Sequence, residues 1–171
     1  MSRATVRAAI ADFLNAGITA GDLPMLTTVY PYPPKITAEG QFLPPDNTTQ
    51  QSGAAVYIHL VSQDEQRIAI GGPTSGRKMV QYQVGLITYL LSMQKDVQLA
   101  GADNDTLLDG LVTYIRTNRT ANSTAIFQWG EGNQAGAPDI HVIASMPLLL
   151  RLEASVTWST LEVTALEIDV T

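Results

Sequence analysis

The sequence predicts a single α+β domain over residues 1–171. We expect a mostly antiparallel β-sheet, two α-helices packed on one face, and a long Pro-rich extended arm at about residues 24–50. Three observations support this. Two segments have apolar residues at helical spacing, several β-rich segments follow one another, and six of the nine prolines lie between Pro24 and Pro45. Sequential strands with short connections favour antiparallel pairing beneath a helical layer.

The first expected element is an amphipathic helix near the N-terminus. Ser2 is a suitable N-cap, and apolar residues follow at intervals of three and four positions from Val6 to Leu14. We expect about three turns of helix, ending at the segment 15–17, which closes with a glycine. A short strand is then expected around Met25–Tyr30.

The proline-rich arm follows this strand. Proline fixes φ, removes a backbone donor and drives the preceding residue toward extended geometry. A connection of this length is uncommon inside a compact domain and is usually functional or disordered. The arm carries more apolar surface than a spacer needs, so we expect it to dock on a partner. The residues expected at this interface are Tyr30, Tyr32, Pro33, Pro34, Ile36, Phe42 and Leu43.

The middle of the chain reads as strands and loops. Ala54–Val61 is rich in β-forming residues, Ser62–Gln66 predicts a polar turn, and Arg67–Ile70 resumes the strand pattern. Gly71–Lys78 predicts a flexible connection of hairpin type. Met79–Met93 then predicts a long strand, because apolar residues alternate there with polar ones.

The second half predicts a helix and further strands. Asp103 and Asp105 are expected to open the helix, with an apolar stripe from Leu107 to Ile115. Strands are expected next, around a glycine-rich loop at 130–138. The strand segments are Ala125–Trp129, Ile140–Met146 and a tail, Leu148–Val170, that forms one long strand or two shorter ones.

The composition narrows the function classes. The net charge of −6 argues against a nucleic-acid-binding module, which needs clustered Lys and Arg. Only 15% of the residues are charged, which favours a surface partly covered by neighbouring molecules. The chain has no cysteine, which excludes disulfides and thiolate sites. The N-terminal residues are too polar for a signal peptide, so we expect synthesis in a cytoplasm.

The motifs that suggest chemistry are incomplete. Gly71 and Gly76 have the spacing of a phosphate-binding loop, but Arg77 takes the place of its lysine and a strand follows it. Asp103 and Asp105 begin like a calcium loop that lacks its glycine and terminal glutamate. There is no Gly-x-Ser-x-Gly elbow, and the aromatic residues come without the positive groove of a single-strand binder. We expect no metal and no cofactor, although a catalytic pair assembled by folding stays open.

Taken in order, these segments resemble the tail terminator (tail completion) proteins of long-tailed bacteriophages, especially those of actinobacterial hosts. The resemblance covers roughly residues 2–170. It is carried by the end of the first helix at 15–18, Val29–Ile36 (Val-Tyr-Pro-Tyr-Pro-Pro-Lys-Ile), Val56–Val61, Arg67–Lys78, and Leu107–Arg119 running into Thr124–Gly132.

The resemblance implies a structural protein of the virion that is not an enzyme. Such proteins form a hexameric ring on the head-proximal end of the tail tube, end tube polymerisation and join the head connector, with DNA passing through the lumen and no membrane contact. The loop residues Arg77 and Lys78 then become candidates for contact with the tube or connector, although a solvated turn explains them equally well. The alternatives are another head–tail joint component, such as a stopper or minor tail protein, or a small cytoplasmic ligand-binding domain or enzyme.

Overall fold

The computed structural model describes residues 3–33, 53–67, 77–92, 97–118, 127–129, 140–151 and 154–170. These residues form two helices and six strands, which confirms the α+β class. The elements in chain order are α1 (Arg3–Ala20), β1 (Leu26–Tyr30), β2 (Gly53–Arg67), β3 (Arg77–Ser92), α2 (Val97–Thr117), β4 (Phe127–Trp129), β5 (Ile140–Arg151) and β6 (Ala154–Val170).

The strands form one sheet in the order β1-β2-β3-β6, and both β4 and β5 pair with β6. The pairings of β2, β3, β6, β4 and β5 with one another are antiparallel. The exception is β1, which runs parallel to β2, with Leu26 opposite Ala54 and Tyr30 opposite Tyr57. A parallel pair needs a long crossover connection, and the proline-rich stretch between the two strands supplies it.

One buried apolar cluster joins the helices to the sheet. Alternate residues of the central strands, such as Ile58, Leu86 and Leu161, belong to it together with Ile10 of α1 and Leu111 of α2. Successive side chains of a strand point to opposite faces, so these strand residues share one face of the sheet. The Tyr114 hydroxyl donates to the Phe13 carbonyl oxygen over 3.1 Å, and this hydrogen bond ties the two helices together.

Helix α1 is longer than the three turns expected, because Gly17 lies inside it and does not end it. The helix ends instead at Gly21, whose φ of 82° is left-handed. The Gly21 N–H donates to the Ile18 carbonyl and the Asp22 N–H to the Gly17 carbonyl, which is a Schellman motif. Gly17 has a packing role, since a Cβ there would lie 2.7 Å from Cζ of Tyr114.

The expected turn at Ser62–Gln66 is wrong. These residues continue β2 and pair with β3, because the neighbouring strand supplies backbone partners that outweigh their polar composition. A bulge lies between Leu60 and Ser62, and the extra residue Val61 is 47% exposed. The expected strand 68–70 lies outside the described residues.

The loop expected at Gly71–Lys78 ends earlier than predicted. Arg77 and Lys78 are the first two residues of β3, where their backbones pair with Val170 and Asp169 of β6. The strand begins earlier than its apolar pattern suggests, because hydrogen bonding to β6 extends to the end of both strands. Residues 71–76 of this loop lie outside the described ranges.

Helix α2 begins at Val97, six residues before Asp103, so the two aspartates do not open it. The residue between them, Asn104, is buried and accepts a hydrogen bond from the Ser159 hydroxyl of β6 over 3.2 Å. Within the polar segment 103–105, the amide of Asn104 therefore lies against the sheet, and Asp103 and Asp105 are its neighbours in the sequence. In the described part of the chain, no helix is long and apolar enough to cross a membrane.

Candidate interaction site

Residues 31–33, the last described residues before the segment 34–52, lie beside the first turns of α1. Arg7 donates to the carbonyl oxygens of Pro31 and Ile58, and its bond to Pro31 is 3.2 Å long. Arg3, four residues earlier on the same helix face, donates to the Leu60 carbonyl over 3.2 Å. Ile58 and Leu60 lie just past the end of β1, so the two guanidinium groups occupy backbone acceptors that a longer β1 would have used.

Tyr32 extends this anchor to the surface. The guanidinium carbon of Arg7 lies 5.1 Å from the centre of its ring, within the range of a cation–π contact. The ring is nevertheless 55% exposed, which leaves much of it available for contact. Tyr30, two residues earlier, is half-buried in β1, and burial raises the pKa of its hydroxyl above the ordinary 10.0. The proline-rich stretch therefore follows a hydrogen-bonded base at which the Tyr32 side chain is exposed.

The stretch that continues from this base is longer than its two ends require. Residues 34–52 link Pro33 to Gly53, and Gly53 lies beside the start of β1. The five residues of β1 span about 17 Å, whereas 19 extended residues span up to about 65 Å. A segment of this length can therefore go out by about 30 Å and return.

A second candidate surface is the sheet face opposite the helices, which we call the open face. None of its residues belongs to the buried cluster found in the described part of the chain. Ala55 and Gly85 are buried between larger neighbours, while the remaining side chains are half-buried or exposed. The open face comprises Ala55, Tyr57 and His59 of β2, Gln83, Gly85, Ile87 and Tyr89 of β3, and Trp158, Thr160 and Glu162 of β6.

Three aromatic side chains cross the open face in a row. The rings of Tyr57 and Tyr89 are stacked, with centroids 5.9 Å apart and planes inclined by 22°. Tyr89 lies directly opposite Trp158 in the ladder, so the row continues across β2, β3 and β6. Burial, followed by the charge of Tyr57 and a hydrogen bond with it, raises the pKa of Tyr89 above 10.0. Tyrosine and tryptophan residues of this kind are enriched in protein interfaces.

The polar residues of the open face lie at one end of the row. The Gln83 amide nitrogen lies 3.4 Å from a Glu162 carboxylate oxygen, on neighbouring strands. Gly85 lies between this pair and Ile87, and a Cβ on it would come within 3.7 Å of Thr160. The open face therefore has an aromatic end and a polar end that carries the carboxylate of Glu162.

The residues expected at the interface fall into three groups. Tyr30, Tyr32 and Pro33 are described and lie together at the base of the proline-rich stretch. Arg77 and Lys78 begin β3, and the ladder places Lys78 opposite Arg67 of β2 at the far end of the hairpin. The other four, Pro34, Ile36, Phe42 and Leu43, lie outside the described residues.

Sequence reasoning missed the two anchoring arginines and the open face. Arg3 and Arg7 had a usable signal, since their spacing places both on one side of the first helix. The alternation within Met79–Met93 predicted a strand with two different faces, but nothing in the sequence indicated which face the helices leave uncovered. Tyr57 and Tyr89 come together only through the β2–β3 register.

A cleft of about 600 Å³ lies along α2, away from both surfaces. Its lining includes Asp22, Asp109 and the hydroxyl residues Thr106, Thr113 and Thr117. Within the described ranges, no group of three or more His, Cys, Asp or Glu residues is placed to hold a metal ion.

No protein-family model matches the sequence, and no curated protein matches it significantly.

Proposed function

We propose that this chain is a structural subunit of a bacteriophage virion. In this proposal it forms a ring, hexameric by the resemblance described above, at the head-proximal end of the tail tube of a long-tailed phage. The ring ends tube polymerisation and joins the tail to the head connector or stopper protein. The subunit needs no cofactor and catalyses no reaction, and its partners are its own copies, the major tail protein and the connector.

The observation that carries this proposal is the anchored base of the proline-rich stretch. Arg7 bonds the Pro31 carbonyl and contacts the ring of Tyr32, so the stretch starts in a fixed direction. The 19 residues that follow Pro33 exceed what a crossover between two adjacent strands requires. We infer that these residues form an arm and that the arm contacts a neighbouring subunit. The open face, which lies on the side of the sheet opposite the two helices, is the second surface in this proposal.

A ring built from one kind of subunit uses a heterologous interface, in which one patch meets a different patch on the next copy. The anchored arm and the open face are two such different patches on this chain. The low charged fraction of 15% suits a protein whose surface is partly covered in its assembly. Six copies at −6 each carry about −36, so a lumen lined with acidic groups would repel passing DNA without holding it.

The direct test is assembly on purified tail tubes. The chain is mixed with tubes from a phage that carries it, and capping is followed by electron microscopy and by the length distribution of tubes grown in its presence. We expect rings at one end of the tubes and an arrest of further growth. Tubes that grow to unlimited length without any bound subunit would contradict the proposed function.

A matched variant tests whether tube capping depends on the arm. Residues 34–45 are replaced by a Gly/Ser linker of the same length, because a deletion would shorten the crossover that the parallel β1–β2 pair needs. We expect unchanged helix and sheet content by circular dichroism and complete loss of capping. Unfolding of the linker variant would show that these residues belong to the core and not to an interface.

A second candidate function is a small ligand-binding domain, which the cleft along α2 favours. Its two carboxylates and four hydroxyl groups, those of three threonines and Tyr114, suit a polar or cationic small molecule. Asp109→Asn together with Thr113→Val would then abolish ligand binding, whereas the same double variant should cap tail tubes normally if the chain is a ring subunit.

A further inference from the structure

The aromatic row of the open face has the features of a surface that binds proline-rich chain. Extended proline-rich segments are recognised by exposed aromatic rings, against which the flat pyrrolidine rings pack with little loss of entropy. The stacked rings of Tyr57 and Tyr89, with Trp158 next in the ladder, provide three adjacent rings over three strands. Strands are about 4.8 Å apart, so the row extends over about 10 Å from β2 to β6.

The chain itself carries a sequence that fits this surface. Pro33, Pro34 and Lys35 are consecutive, and they follow directly after the anchored Tyr32. Trp158 and Glu162 are four residues apart on β6, a distance of about 13 Å along the strand. With Pro34 on Trp158 and the segment continuing along β6, one polyproline residue of about 3 Å and an extended lysine side chain of about 6 Å bring the Lys35 ammonium group to within a few ångströms of Glu162.

The position of residues 31–33 favours a second copy of the chain, and not the same subunit, as the molecule whose segment binds the open face. Tyr32 packs on Arg7, a residue of α1, and α1 belongs to the buried cluster on the opposite side of the sheet. The last described residues before the segment therefore lie beside α1, on the side of the sheet away from the open face. Pro33 and Pro34 follow Tyr32 directly, so the copy that receives them has to lie against this base.

We propose that the open face of each subunit binds the proline-rich segment 33–45 of a second copy of this chain, with Pro33 and Pro34 on the Tyr57–Tyr89–Trp158 row and Lys35 beside Glu162. This inference rests on the proposed function in one respect, since the ring supplies the second copy. Each subunit donates one segment and receives another, which is the heterologous arrangement that closes a ring.

A peptide titration tests the surface without any tail tube. A synthetic peptide of residues 31–46 is added to the Gly/Ser linker variant, whose own segment is replaced, in a Trp129→Phe background so that Trp158 alone reports. We expect saturable quenching or a spectral shift of Trp158. Tyr57→Thr and Tyr89→Thr should each weaken binding at least tenfold, and Glu162→Gln should weaken it less and remove its dependence on salt.

Val61→Thr is the matched control, because it makes a similar exchange on β2 at an exposed position in the bulge, outside the open face. It should bind the peptide as well as the parent does. Urea unfolding of each variant checks that the fold is kept. Absence of peptide binding, or equal binding to Tyr57→Thr, Tyr89→Thr and Val61→Thr, would overturn the inference and leave the tube-capping result unaffected.

A mixing experiment separates a second copy from the same copy. The linker variant has an intact open face and no segment, and the Tyr57→Thr/Tyr89→Thr variant has an intact segment and an impaired face. Docking between copies predicts that each alone is monomeric by light scattering and that an equimolar mixture at high concentration forms a heterodimer. A mixture that stays monomeric, while the peptide still binds, would show that the segment docks on its own subunit and would overturn the assignment to a second copy.

Discussion

The two faces of the central strands carry similar residues in different surroundings. On the helix side, Tyr82 and Leu86 of β3 are fully buried within the apolar cluster. On the open face, Ile87 and Tyr89 of the same strand are half-buried, next to Tyr57. The open face also carries polar residues such as His59 and Gln83, and only the other face has helices packed on it in the described part of the chain. The comparison teaches that the first face stabilises the subunit, and it is the reason we propose the second as a surface for contact between molecules.

The largest effect is expected at Leu86, compared with its neighbour Ile87. Leu86→Ala opens a cavity in the buried cluster and should lower the free energy of unfolding by about 2–5 kcal/mol. Ile87→Ala is on the same strand and lowers β-propensity in a similar way, but it removes a side chain that is only half-buried. We therefore expect its free energy of unfolding to fall by less than half as much as that of Leu86→Ala. Urea unfolding of both variants measures the difference. Equal losses would show that the open face is as fully packed in the single subunit as the helix side.

A smaller effect is expected where the helices meet. Gly17→Ala places a methyl group 2.7 Å from Cζ of Tyr114 and 2.9 Å from Cδ1 of Leu23, which forces the helices apart and should cost about 1–3 kcal/mol. Gly110→Ala in α2 is the matched control, because nothing lies within 4 Å of its Cβ position. That variant should gain up to about 1 kcal/mol from helix propensity. A stabilised Gly17→Ala protein in thermal unfolding would show that the contact between α1 and α2 is loose.

The hydrogen bond between the helices has a smaller expected effect and a pH signature. Tyr114→Phe removes the bond to the Phe13 carbonyl and should cost about 1 kcal/mol at neutral pH. Burial, and secondarily the charge of Asp22, raises the pKa of Tyr114 above 10.0. Above pH 10 the unfolded chain loses this proton before the folded chain does, so stability falls as the pH rises. Urea unfolding at neutral and alkaline pH should show a shallower alkaline loss in the variant, although Tyr30 and Tyr89 preserve part of it.

The smallest effect on stability is expected on the open face itself. Tyr57→Thr removes a half-buried ring and its stacking with Tyr89 but keeps a residue of high β-propensity, so the free energy of unfolding should fall by no more than about 1 kcal/mol. The same variant should fail to cap tail tubes if the face binds a neighbour. A large loss of stability together with normal capping would reverse the roles assigned to the two faces.

The elements that could be predicted are those with a local signal. The apolar spacing of Val6–Leu14 located α1, and the alternation within Met79–Met93 located β3. The boundaries were less predictable, because partners distant in sequence decide them. Gly17 alone predicts the end of the helix, but it lies inside the helix, where it packs against Tyr114. Gly21 is the residue with the left-handed φ that ends the helix. The polar segment 62–66 reads as a turn, but β3 gives its backbone a strand partner.

The candidate site could be predicted in part for the same reason. The proline-rich stretch is recognisable from composition, and Tyr30, Tyr32 and Pro33 were expected there from the sequence. The arginines that anchor the stretch were not expected, because the hydrogen bond from Arg7 to Ile58 joins residues 51 positions apart in the sequence. The parallel pairing of β1 with β2 was also unexpected, because it depends on where the long connection returns.

By itself the sequence determined the α+β class, the absence of cysteine chemistry, the low charge and a proline-rich stretch too long for a simple turn. Each of these follows from composition or from a periodicity of a few residues. The tertiary structure decided that this stretch is a crossover between parallel strands, that two arginines fix its base, and that aromatic residues of three strands form one row on the open face. These features depend on strand register and on which face the helices cover, and both are set by contacts between residues far apart in the chain.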